Sequence, residues 1–154
     1  MVTTYTVLKT IHILAAVTWV GGGAILVTLI GRARRAADTG TLVTLIRQVL
    51  FVGPRIFAPS SLVMVVTGIW MILNGGGYSN WDLWVILGLI GWGATFVTGN
   101  FFLRPTSDKL DAALEERGPD DPGARALMAR VLNVARVDQL VLALVIVDMV
   151  IKPT

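Results

Sequence analysis

Four long stretches of this chain are nearly free of charge, and that pattern constrains its fold more than any motif. Residues 10–31, between Lys9 and Arg32, hold one ionisable group, His12. Residues 56–81 hold none, and residues 83–103, between Asp82 and Arg104, hold none. Each reaches the roughly 20 residues needed to cross a hydrocarbon layer of ~30 Å. The fourth stretch, 137–151, is shorter and includes Asp138 and Asp148. Its 139–147 run is apolar apart from Gln139, and isolated polar groups in a span face the bundle interior. Charged residues make up only 15% of the chain, against about 25% in soluble domains. A chain this apolar is not disordered. Without cysteine it has no disulfide scaffold, thiolate metal site or catalytic thiol.

The fold class that follows is all-α: a four-helix transmembrane bundle forming one domain over 1–154. Spans are predicted at about 5–31, 56–74, 81–103 and 133–152, with loops at 32–55 and 104–132. The basic residues set the orientation. Arg32, Arg34, Arg35, Arg47 and Arg55 fall in the first connection, and Arg104, Lys109, Arg117, Arg125, Arg130 and Arg136 in the third. The second connection has no basic residue and carries a glycine turn at 75–77. By the positive-inside rule both termini lie outside the cytoplasm, in a multi-pass protein of the inner (cell) membrane, with Trp81 and Trp84 at the outer interface. This grouping also explains the net charge of +3 without nucleic acid. The first apolar segment is too long for a cleaved signal peptide and lacks a basic leading cluster, so it is expected to be retained.

The connections carry structure of their own. Leu42, Leu45, Ile46, Val49 and Leu50 recur at helical spacing, so the second helix is expected to start near Thr41. Pro54 and Pro59 each remove a backbone donor and predict a kink or break. Residues 107–117 read as a short helix with Leu110, Ala113 and Leu114 as its apolar stripe. The Gly-Pro-Asp-Asp-Pro sequence at 118–122 ends it. Asp121 then suits an N-cap and Pro122 a first helical turn. The last helix is expected to run from about 122 to 151, giving a cytoplasmic helical extension between spans three and four. Glycines 21–23 and Gly88, Gly91, Gly93 and Gly99 mark faces where helix backbones approach.

His12 is the first candidate for chemistry. It lies about seven residues into the first span, roughly 10 Å deep at 1.5 Å per residue, and an ionisable group there needs a protein or ligand partner. Neutral imidazole ligates haem iron and copper. Trp19, seven residues on, shares its face, with small residues leaving room beside the ring. Met64, Met71 and Met149 are candidate second ligands, since His/Met ligation suits haem and copper(I). The bland alternatives are a histidine hydrogen-bonded between helices and methionines that fill gaps. Asp148, at comparable depth, either pairs with Lys152 or orients His12 from the second shell. Lys9 belongs to the same cluster or simply snorkels. At the inner side Arg55, Asn100, Arg104 and Asp138 are expected to form a structural clamp joining spans two, three and four. A Ser60 or Ser61, His12, Asp148 triad fails on depth, and no phosphate loop or His-Glu-x-x-His motif is present.

The opening Leu8-Lys9-x-x-His12 with Trp19-x-Gly21-Gly22, the sequence Thr67-Gly68-Ile69-Trp70, and the close Met149-Val150-Ile151-Lys152-Pro153 resemble a bacterial family of predicted four-span integral membrane proteins of unknown function. The opening is also similar to the wider CopD-like group, which includes the copper-resistance protein CopD and the haem-associated oxidase HemJ. The resemblance implies that His12 maps onto a first-helix histidine associated with haem or copper. Those relatives carry further candidate ligands, and this chain has no second histidine, so the oxidase activity is not carried over. The leading expectation is a small membrane protein holding b-type haem through His12 for electron transfer or sensing. Two alternatives stand beside it: a cofactor-free bundle acting as a partner subunit or stabiliser, and a copper or proton-coupled permeation protein. Expected partners are the lipid bilayer and either a second copy or a larger membrane complex.

Overall fold

The computed structural model describes residues 3–36, 38–74 and 82–153. Four long helices carry almost all of them: α1 (Thr4–Arg35), α2 (Gly40–Leu73), α3 (Leu83–Arg117) and α4 (Pro122–Ile151). The first three are long and apolar enough to cross a membrane. The apolar part of α4 is interrupted by Asp138 and Asp148. Trp81 and the glycine turn at 75–77 lie outside the described residues.

Local chemistry sets the helix ends. The Thr3 hydroxyl accepts the Thr6 amide at the start of α1. At α2, Asp38 accepts the Thr41 amide at 3.0 Å. At α4, Asp121 accepts the Ala124 amide at 2.8 Å, and Pro122 fills the first turn as expected. α3 ends before Gly118, whose φ of 79° is a left-handed conformation that glycine adopts without strain. Hydrogen bonds from the Thr41 side chain and then its amide hold the Asp38 carboxyl below its ordinary value of 3.8. A group with a depressed folded pKa stabilises above its ordinary value and loses that contribution as pH falls through the folded one. Acidification through that range should therefore lower the protection factor of the Thr41 amide, the unstructured exchange rate divided by its own at the same pH. Asp38→Ala should show the lowered protection already at pH 7.

Of the kink or break expected at Pro54 and Pro59, the break does not occur, since the helix runs on through both, and 107–117 is not a separate helix. Instead α1, α2 and α3 each contain one π-helical turn, at Val17–Gly21, Gly53–Phe57 and Thr98–Leu103. Pro54 lies inside the second, and Pro105 follows the third by two residues. A wider turn absorbs the missing proline donor and the ring's clash with the preceding carbonyl, so the axis continues.

The bundle is closed at one end and split at the other. At the end bearing the arginines, Gly22–Arg35, Thr39–Val52, Arg104–Arg117 and α4 each pack on two neighbours, closing a four-helix ring. At the end bearing the termini, Thr4–Ala16 packs along Ala58–Leu73 and Leu83–Val97 along α4, while the two pairs scarcely meet. The tightest core belongs to the closed end: Ile30, Leu42, Ile46, Leu110, Leu114, Met128 and Leu132 are buried together. The stripes foreseen at 42–50 and 110–114 point into it, beneath a polar surface where Arg47 reaches Asp111 and Glu115 on α3. At the split end the outward side chains are apolar, with Leu144 and Val150 among the most exposed.

Close approach between helices is concentrated at six glycines, Gly68 beside the His12 ring among them. Gly22 meets the Phe57 ring of α2, while Gly23 and Gly31 meet Gln139 and Arg136 of α4. Gly88 and Gly91 meet Met149 and Val145. Gly21, Gly93 and Gly99, which the sequence also marked, have open space where a Cβ would stand.

Candidate functional site

His12 lies in the α1–α2 pair at the split end. Gly68 creates its seat: a Cβ there would stand 3.1 Å from the imidazole Cε1. The ring nitrogen Nδ1 lies 2.7 Å from the Met64 carbonyl oxygen, an acceptor only, so Nδ1 carries the proton and donates it. The Met64 carbonyl can be reached by a side chain because Gly68, one turn on, has no Cβ to cover it; the Thr67 hydroxyl, whose one proton is shared with the Val63 carbonyl, lies 3.0 Å from the same oxygen. Thr67 Oγ1 lies 3.3 Å from Nδ1 and also bonds the Val63 carbonyl at 2.7 Å. With Nδ1 protonated, Nε2 bears the lone pair, and it makes no hydrogen bond to the described residues. The ring is half-buried, held from one side and available at the other.

The structure gathers some of the sequence-predicted residues and separates others. Met64 meets His12 through its backbone. Met71, partly buried, lies on the same face of α2 as Thr67 and Gly68, one turn toward the chain termini. Met149 belongs to the other pair, where its methyl group packs on Gly88. Asp148 faces Gly88 as well, and its Oδ2 is buried without a hydrogen-bond partner among the described residues. The carbonyl of Met64, not the Asp148 carboxylate, therefore orients His12, a correction to the second-shell reading. Lys9 is exposed. Lys152, with its backbone in the left-handed conformation, sets its ammonium 5.1 Å from the Trp84 ring centroid. Trp19 does not join His12: it lies within the first π turn and lines a cavity at the fork.

That cavity holds about 420 Å³ and is lined by all four helices where the three π turns converge. Asn100, Arg104 and Asp138 line it, but Arg55 does not. Arg55 is exposed and folds onto its own helix, 4.3 Å from the Phe51 ring centroid. Among the described residues no ion pair involves Asp138. The foreseen clamp is thus three residues around a cavity rather than a salt-bridged lock. Ser61, Thr95 and Gln139, which also line it, were legible only as polar side chains inside apolar runs. Among the described residues no three His, Cys, Asp or Glu side chains gather as a metal site.

A family model described as "Predicted integral membrane protein (DUF2269)" covers residues 6–153. No curated protein and no solved structure matches the chain.

Proposed function

The chain belongs to this family of predicted integral membrane proteins, and on that premise we propose that it holds b-type haem through His12, for electron transfer or sensing. The observation that carries the proposal is the Nδ1 contact with the Met64 carbonyl at 2.7 Å. A backbone carbonyl on one imidazole nitrogen fixes the tautomer that leaves the other free to ligate, and it raises ligand basicity. His12 would hold the haem through Nε2, with Met71 as the methionine we favour for a second ligand, because Met149 packs on Gly88. Bis-histidine ligation would need a second copy of the chain. When bound, haem would supply one-electron chemistry; this chain's residues hold the imidazole in one tautomer and one orientation.

The same reading places the protein in the inner membrane with α4 as a fourth span. The arginine-rich closed end would face the cytoplasm and both termini the outside. His12 then stands near the outer face. Thr3 and Glu116 are exposed at opposite ends, and the native chain has no cysteine. An impermeant maleimide should label Thr3→Cys in intact cells and Glu116→Cys only after permeabilisation. The opposite pattern inverts the orientation.

Absorption spectroscopy tests the haem. Protein purified in detergent should show a Soret band that sharpens and shifts on reduction and is lost in His12→Ala. A preparation that stays colourless after haem supplementation would sink the proposal and favour a cofactor-free partner subunit. Copper found by metal analysis of the same sample would favour the copper alternative.

A further inference from the structure

The fork cavity has a chemistry that the haem reading does not use. Several of its polar side chains at membrane depth commit a proton to their own helix and keep oxygen lone pairs. Ser61 donates its hydroxyl proton to the Ala58 carbonyl at 2.9 Å, and Thr95 donates its own to the Trp92 carbonyl at 3.0 Å. The Asn100 amide gives one of its two protons to the Phe96 carbonyl at 2.9 Å, and its carbonyl oxygen is an acceptor. Such back-bonding is the usual way a hydroxyl settles within a helix, and it leaves the oxygens facing the cavity as acceptors. Ser61 and Thr95 are only 2% and 3% exposed, so both are packed tightly into the cavity wall. Asp138 adds a carboxylate without an ion pair among the described residues.

The cavity's charged lining is Arg104, Asp108 and Asp138, which sums to one negative charge. None of the three is in an ion pair among the described residues, and Asp138, at the start of the apolar stretch of α4, is the one set in an apolar segment. Trp19, Phe57 and Phe96 also line the cavity, and aromatic faces attract cations as carboxylates do. A volume of about 420 Å³ is within the range of small-molecule sites and far larger than a bare ion needs. An intramembrane carboxylate facing a cavity marks a binding or translocation site more often than a structural one.

We propose that the fork cavity binds a small amphiphilic organic cation, a protonated amine on an apolar body, with Asp138 as its counter-ion and the Ser61, Thr95 and Asn100 oxygens accepting its N–H groups. The ligand's apolar body would lie against Trp19, Phe57 and Phe96. Because the three π turns that widen the helices lie at this level, the site is a product of the same irregularities that keep the helices continuous. The assignment is independent of any group at His12.

Calorimetry on the full chain in nanodiscs tests it with tryptamine and tryptophol, which share an indole and differ in carrying an ammonium or a hydroxyl. Tryptamine should bind saturably at pH 7, and tryptophol at least tenfold more weakly. Asp138→Asn should abolish that preference while the melting profile stays cooperative. Should Asp138→Asn fail to fold, Thr95→Val takes its place and should weaken tryptamine severalfold. Empty nanodiscs subtract partitioning into lipid. No saturable tryptamine binding, equal affinity for the two compounds, or unchanged affinity in the folded variant would each overturn the proposal.

Discussion

Leu132→Ala should lower the unfolding free energy by about 2–5 kcal/mol, the usual cost of a buried leucine truncation, whereas Leu140→Ala should change it little. The two leucines lie on one helix, eight residues apart. Leu132 is 2% exposed and belongs to the closed-end core with Ile30, Leu42, Ile46, Leu110 and Met128. That part of the molecule has a charged surface, with Arg47 paired to Asp111 and Glu115 and Arg125 to Asp120. Unfolding there transfers apolar side chains into water, and the truncation also leaves a cavity. Leu140 is 65% exposed on an apolar surface. In lipid its side chain meets acyl chains before and after unfolding, so no hydrophobic transfer is lost. Unfolding of the two variants by SDS in mixed micelles compares the midpoints directly. Equal losses would show that the split end also relies on hydrophobic burial from water.

Gly91→Ala should destabilise the α3–α4 pair by about 1–3 kcal/mol, a typical overpacking cost, more than Gly88→Ala. A Cβ at Gly91 would strike the Cγ2 of Val145, and one at Gly88 would strike the Cε of Met149. Valine has essentially one χ1 rotamer in a helix, so it cannot move aside and the helices must separate. The methionine methyl ends a flexible chain and swings away. At Gly93 a Cβ meets nothing within 4 Å, so alanine there should be neutral or stabilising by up to about 1 kcal/mol through helix propensity. The order Gly91, Gly88, Gly93 in mixed-micelle unfolding is the expected result. A Gly93→Ala variant as damaged as Gly91→Ala would mean that another chain packs on that face.

Much of the architecture was readable because local rules set it. Asp121 and Pro122 start α4 where a cap and a donor-free first turn belong. Leu110, Ala113 and Leu114 lie on one helical face and are buried as their spacing requires. The prolines marked an irregularity without revealing its kind, because their effect depends on the backbone around them. Pro54 ends a helix that must keep α-helical geometry, but a π turn accommodates it, and nothing at 53–57 says which will occur. The glycines divided for a similar reason. Gly91 and Gly93 are chemically identical, and only the placement of α4 makes one a contact and the other open.

The candidate site divides along the same line. His12 could be singled out from sequence because an imidazole within an apolar run is costly wherever it sits. Its partner could not, because the Met64 carbonyl belongs to a backbone group that every residue carries. Asp148 and Met149 share its depth but not its helix pair, and depth is all that position along a span reveals. Likewise Asp138, Asn100 and Arg104 read as a clamp, since opposite charges near one level invite pairing. The fork holds them apart around a cavity, and Arg55 turns outward to Phe51.

The sequence by itself determined that this is a helical membrane protein, where its helices lie, and which few polar groups they carry to depth. Those properties follow from the energy of each residue in lipid or water, summed along the chain. The tertiary structure alone decided that the bundle closes at one end and forks at the other, that His12 presents Nε2, and that Asp138 faces a cavity. These depend on the rotation of each helix about its axis and on which helices pair. Such choices are made by contacts between residues far apart in the chain, where a single π turn is enough to redirect a face.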